Sequence, residues 1–150
     1  MRPGACHAGP PIVVGGVGEK FTLPLVARYA DVWNVPTYAL DQIETKIAVL
    51  RSICEDIGRD PSSIVLSIEA VMALAPDDSS LQKVRSLAEK RFGGEGFGLY
   101  DTNLIGTPGS IVDRLGELVE RGFGQIVLFT HDRCSDQTLD LLATEVIAAL

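Results

Sequence analysis

The run Pro11-Ile12-Val13-Val14-Gly15-Gly16-Val17-Gly18-Glu19-Lys20 decides how the rest of the chain is read. A short β-branched stretch from Pro11 to Val14 meets paired glycines, and a segment of looser helical period follows from about Gly18 to Ala30. An apolar run stopped by glycine ahead of a helix is the opening of a βα unit. Pro24 falls inside the expected helix, where it would remove one ladder bond and kink the chain.

The same alternation recurs downstream. Val32 to Val35 is a second short strand closed by Pro36, Ile64 to Leu74 a third with two-residue alternation, and Gln125 to Thr130 a nearly all-apolar fourth. Leu40, Ile43, Ile47, Leu50, Cys54 and Ile57 recur at helical spacing before Gly58. Ser79 to Phe92 carries Leu81, Val84, Leu87 and Ala88 on one face. Thr107-Pro108 reads as a cap with proline at the first helical position, and Ile111, Leu115, Leu118 and Val119 form the stripe that Gly122 ends. Ser135 caps a final helix bearing Leu139, Leu142, Val146 and Leu150. Strands alternating with helices predict an α/β fold with a parallel sheet, its strands adjacent in sequence order. Phe92 to Gly106, with little periodicity, reads as a loop.

At 150 residues the chain suffices for one core but falls well short of the ~250 residues typical of an eight-unit β/α barrel. A net charge of −7 without a basic stripe argues against nucleic acid as a partner. No apolar run approaches the ~18 residues of a membrane span, and residues 1–10 lack the apolar region of a signal peptide, so the expected location is cytoplasmic. Cys6, Cys54 and Cys134 are odd in number and widely spaced, which predicts free thiols and no metal site.

Chemistry concentrates in few places. The turn Gly15, Gly16, Val17, Gly18 lets the backbone approach a ligand ahead of helical N–H groups, the arrangement of a phosphate site. A tight connection needing glycine only for its backbone angles is equally open. A dinucleotide fingerprint fails because Phe21 stands at the third glycine position, and an NTPase phosphate loop fails because Phe21 follows Lys20. His131 follows the last strand, where parallel folds place ligand groups, and is a candidate proton donor; an exposed loop histidine beside Asp132 and Arg133 is the preferred reading. Trp33 is a candidate to stack on a flat substrate, with packing preferred. Nothing around Cys134 marks it as a nucleophile.

Three blocks carry a family resemblance. Pro11 to Asn34 resembles the luciferase-like monooxygenase superfamily, particularly its F420-dependent oxidoreductase branch. Ile105-Gly106-Thr107-Pro108-Gly109-Ser110-Ile111-Val112-Asp113-Arg114-Leu115, with Gly122 to Leu128 behind it, resembles the helix and last strand of the same family. Lys46 to Arg51 and Ile57 to Pro61 fall between them in the expected order. The resemblance covers residues 11 to 150 and leaves residues 1 to 10 outside; Gly109 departs from it, standing where the family usually has an acid. It implies the C-terminal half, four βα units, of a (β/α)8 TIM barrel of the bacterial luciferase-like type. It also implies coenzyme F420, or alternatively FMN, with the cofactor phosphate at Gly15 to Gly18, a small-molecule substrate, and hydride transfer or monooxygenation.

The four N-terminal strands of such a barrel have no counterpart in this sequence. Since they supply most groups around the reactive ring, the isolated chain is expected to show no turnover. Two unpaired sheet edges predict a homo-oligomer or a partner supplying the N-terminal half-barrel. The alternative from another class is a non-catalytic half-barrel that serves as an association module.

Overall fold

The computed structural model describes residues 10–93 and 103–150. The elements run β1 (Val13–Gly15), α1 (Thr22–Tyr29), β2 (Val32–Pro36), a 3-10 segment Thr37–Gln42 leading into α2 (Ile43–Asp56), and a 3-10 turn Pro61–Ser63. Then come β3 (Val65–Leu74), α3 (Asp78–Phe92), β4 (Leu104–Gly106), α4 (Pro108–Glu120), β5 (Gln125–Thr130) and α5 (Asp136–Leu141), which continues as a π segment, Leu142–Val146, and a 3-10 turn, Ile147–Ala149. The chain forms two compact units, one up to Ile68 and one from Glu69 to Leu150, with the boundary inside β3.

In the first unit β1 and β2 are parallel, with Val13 opposite Val32 and Gly15 opposite Asn34. The return from α1 to β2 is fastened at Asp31, whose carboxylate accepts from Ile12 N–H at 2.8 Å, while Ile12 C=O accepts from the N–H groups of Asp31 and Val32. Val65 N–H bonds Asp31 C=O at 2.9 Å and Ser67 Oγ donates to Asn34 Oδ1 at 3.0 Å, so β3 enters the sheet beside β2. Leu23, Val26 and Ala27 of α1 are fully buried and pack with α2, whose inward stripe is Ile43, Leu50 and Cys54.

In the second unit the end of β3 is bonded on both edges. Ala75 N–H reaches Gly106 C=O at 2.9 Å on one edge, and Met72 C=O accepts from His131 N–H at 3.0 Å on the other. Met72 to Leu74 pair in parallel with Leu104 to Gly106, and buried Asn103 extends that edge by accepting from Val71 N–H at 2.8 Å. Asp77 caps α3 by accepting from Ser80 N–H, and Gly93 ends it in the left-handed conformation (φ 74°) that glycine adopts without a Cβ clash. Ala73, Ala75, Val84 and Ala88 form a tight cluster between strand and helix. Ile111, Leu115 and Leu118 of α4 are buried, each contributing about 1.5–3 kcal/mol by leaving water.

Three expectations are corrected. The sheet has five strands: Leu104–Gly106, at the end of the expected loop, is β4, and β4 and β5 both pair with β3. Three residues suffice for this strand because the end of β3 offers an open edge. Second, α1 starts at Thr22, so Pro24 lies in the first turn, where its missing N–H breaks no ladder bond. Third, the last helix leaves α geometry at Leu142. The rest of the expected loop, residues 94–102, lies outside the described residues, as do residues 1–9 with Cys6. Cys54 is buried and Cys134 exposed.

Candidate functional site

The glycine turn joins β1 to α1. Gly16 sits at φ 106°, a conformation that excludes side chains with a Cβ, and its N–H bonds Asn34 C=O at 3.1 Å. Its carbonyl accepts from Trp33 Nε1 at 2.8 Å. Gly18 is held close over Thr22: a Cβ there would lie 3.1 Å from Thr22 Oγ1. Leu23 N–H bonds Gly18 C=O at 2.9 Å, closing the turn onto the helix.

This geometry leaves donors available. Among the described residues, the N–H groups of Val17, Gly18, Glu19 and Lys20 have no backbone partner. Phe21, at the N-cap of α1, provides no side-chain cap, and the first turn holds no acid. The helix dipole adds partial positive charge at this end. Glu19 is the one carboxylate in the turn, and Lys46 neutralises it at 2.7 Å. Lys20, exposed and 5.2 Å from the Phe21 ring centre, adds a cation. The far end of α1 is clamped by Arg59, whose guanidinium donates to the carbonyls of Val26 (3.0 Å), Ala27 (2.8 Å) and Ala30 (2.6 Å).

The structure therefore brings Gly15, Gly16, Val17, Gly18 and Trp33 together. The Trp33 indole is 1% exposed and bonded to the turn, so it packs under the glycines and holds them in place. Nothing in the residue spacing announced the Arg59 clamp. Its signal was only a basic residue just past Gly58, a common position that carries no address for the carbonyls it finds.

His131 belongs to the second unit. It is buried, contrary to the preferred reading of an exposed loop histidine, because its backbone N–H continues the pairing of β5 with β3. Its Nε2 lies 4.0 Å from Asp132 Oδ2. Burial pushes the Asp132 carboxyl up, but hydrogen bonds from Ser135 and Thr138, helped by His131, outweigh it and hold the group below its ordinary value. Arg133 and Cys134 follow at φ 63° and 59°, and Cys134 N–H bonds Thr130 Oγ1 at 2.7 Å. Ser135, read from sequence as a helix cap, does accept from Thr138 N–H. Asp132 was missed, although an aspartate three residues before a capping serine is the pattern that produces this network.

No family model matches the sequence, and neither does any curated protein sequence. Solved structures do match. A coenzyme F420-dependent tetrahydromethanopterin reductase from Methanopyrus kandleri is 16% identical, with a TM-score of 0.64 over 92% of this chain and 50% of its own. A monooxygenase from Streptomyces bottropensis is 18% identical, with a TM-score of 0.69 over 93% of this chain and 48% of its own. A riboflavin lyase solved with modified FMN and riboflavin is 14% identical, with a TM-score of 0.69 over 93% and 42%. The chain thus spans about half the length of the structures it matches. Its fold is α/β, that of half a TIM barrel, as the sequence resemblance implied.

Proposed function

We propose that the chain is the cofactor-phosphate-binding half of a luciferase-like oxidoreductase, with the Gly15–Gly18 turn and the N-terminus of α1 holding the phosphate of coenzyme F420 or, alternatively, FMN. The observation that carries this reading is the set of unpartnered N–H groups from Val17 to Lys20, at a helix start with neither side-chain cap nor acid. A phosphate supplies the acceptors these donors lack. The solved structures of the same fold include an F420-dependent reductase and a protein holding modified FMN, and both cofactors carry phosphate.

The chain's own contribution is to bind and orient. Gly16 and Gly18 would keep side chains out of a phosphate's approach, Trp33 occupies the Gly16 carbonyl with a hydrogen bond, and Lys20 would supply charge. When bound, the cofactor supplies hydride transfer, or oxygen activation in the flavin case. We assign no catalytic group to this chain: the residues that face the reactive ring belong to the other half of the barrel, which another polypeptide segment would provide.

The alternative, an association module without a cofactor, draws on the sheet edges. Within the described residues β1 pairs only with β2, and β5 only with β3. Titration of FMN against riboflavin, which lacks the phosphate, separates the two readings. FMN should bind more tightly than riboflavin, and Lys20→Glu should weaken FMN about tenfold while leaving riboflavin unchanged, as expected when a cation is replaced by an anion beside a partly solvated phosphate. Equal affinity for FMN and riboflavin, with no effect of the variant, would refute phosphate binding at this turn and favour the association module.

A further inference from the structure

The second unit carries a chemically different place. A cavity of about 240 Å³ opens beside His131 and Asp132, walled by Leu74 at the end of β3 and Pro76 beyond it, Lys83 and Val84 of α3, and Thr138 and Leu141 of α5. That is room for about eight waters. The His131 side chain is 5% exposed, and its Nδ1 is buried with no hydrogen-bond partner; Asp132 Oδ1 is buried and unpaired as well. The other Asp132 oxygen is committed, since Oδ2 accepts from Ser135 Oγ and from Thr138 Oγ1 at 2.7 Å. Buried polar atoms are almost always paired, so two unpaired ones on adjacent residues that line one cavity mark where an outside molecule completes the bonding.

The backbone that follows them is strained. Arg133 and Cys134 are consecutive non-glycine residues in the left-handed region, held there by the bond from Cys134 N–H to Thr130 Oγ1. The carbonyl of Thr130 is itself pinned by Arg91 at 2.7 Å. His131 and Asp132 are thus fixed from both flanks instead of being free to turn towards water.

A hydroxyl carries both complements these atoms lack, a donor for Asp132 Oδ1 and an acceptor for His131 Nδ1–H. An ammonium group would also find acceptors, but Lys83 lines the cavity, and Lys90, Arg91 and Arg133 line an adjoining hollow that shares His131 and Asp132. Among the described residues, four cations against one carboxylate in these two linings oppose a cationic ligand and favour one with an anionic end. Exposed Lys83 is placed to meet that end, and Leu74, Val84 and Leu141 accommodate a short carbon chain. We propose that this cavity binds a small hydroxycarboxylate, with its hydroxyl on Asp132 and His131 and its carboxylate towards Lys83. The site shares no residue with the glycine turn and does not rest on the cofactor reading.

The test uses nitrogen-detected NMR of the histidine rings. The sequence holds two histidines, and His131→Gln assigns the signals. Lactate should shift the His131 ring nitrogens along a saturable curve. Acetate, lacking the hydroxyl, and propan-2-ol, lacking the carboxylate, should each bind about tenfold or more weakly, the loss expected for one hydrogen bond involving a charged group. Lys83→Met should weaken lactate but not propan-2-ol, and Asp132→Asn should weaken both. Because Asp132 also supports the start of α5, a circular-dichroism melt accompanies that variant; Lys83→Met, at an exposed position, carries the test if Asp132→Asn unfolds. Absence of a saturable lactate shift, acetate binding as well as lactate, or a preference for ethanolamine would each overturn the proposal.

Discussion

Replacing Arg59 with methionine should unfasten the helix that presents the glycine turn. The guanidinium makes three bonds to carbonyls at the end of α1, those of Val26, Ala27 and Ala30, and Nε makes a fourth to Ser63 Oγ at 3.1 Å. All three carbonyl residues are fully buried, and they form the negative end of the helix dipole. A hydrogen bond to a charged group contributes about 1.5–3 kcal/mol, but Arg59 is only half-buried and water would replace part of what is lost. The expected cost is therefore about 3 kcal/mol, near the value of one or two such bonds and well below the sum of three. For a chain of this size that lowers Tm by about 6–12 °C. Arg59→Lys keeps the charge but loses the fork, so it should cost about half as much. Urea unfolding followed by circular dichroism measures both, and hydrogen exchange at the Ala30 amide, which bonds Val26 C=O, reports the local loosening. A methionine variant within about 0.5 kcal/mol of the parent would refute the clamp, as would a lysine variant as damaged as the methionine one.

Two further outcomes follow from the structure. Asp132 has a depressed pKa, so its contribution to stability is complete above the ordinary carboxylate value of 3.8 and is lost as pH falls through the lower folded value. The difference in urea midpoint between the parent and Asp132→Asn should accordingly be largest near neutrality and shrink below about pH 4; a difference that grows in acid would contradict the sign. The chain should also self-associate at micromolar concentration, because Val127 and Phe129 stand partly exposed two residues apart on β5, a strand that among the described residues pairs on one edge only, and each forgoes roughly 0.5–1.3 kcal/mol of burial. Sedimentation showing a stable monomer would contradict this.

Much of this molecule was legible because apolar spacing and punctuation agreed. The Ile111, Leu115 and Leu118 stripe, bracketed by Thr107-Pro108 and Gly122, is the α4 of the structure, and Gln125–Thr130 is β5 with the same limits. Leu104–Gly106 was not legible, since a three-residue strand has no period and exists only because β3 offers it an edge. The position of Pro24 within α1 was misjudged for a related reason: the turn from Gly16 to Phe21 uses up residues that helical spacing alone would assign to the first turn. At the glycine turn the residue types pointed to the right backbone behaviour, but the bond from Trp33 to Gly16 needed the fold. The burial of His131 depended on pairing between strands far apart in sequence, which no local pattern encodes.

The most direct test of cofactor-phosphate binding is a titration of the isotope-labelled chain with FMN and with coenzyme F420, following each backbone amide by NMR. Phosphate binding at this turn predicts the largest shifts at the amides of Val17, Gly18, Glu19 and Lys20, reproduced in part by inorganic phosphate and absent with riboflavin. Shifts concentrated elsewhere, or amides in this turn that respond to riboflavin as strongly as to FMN, would contradict it.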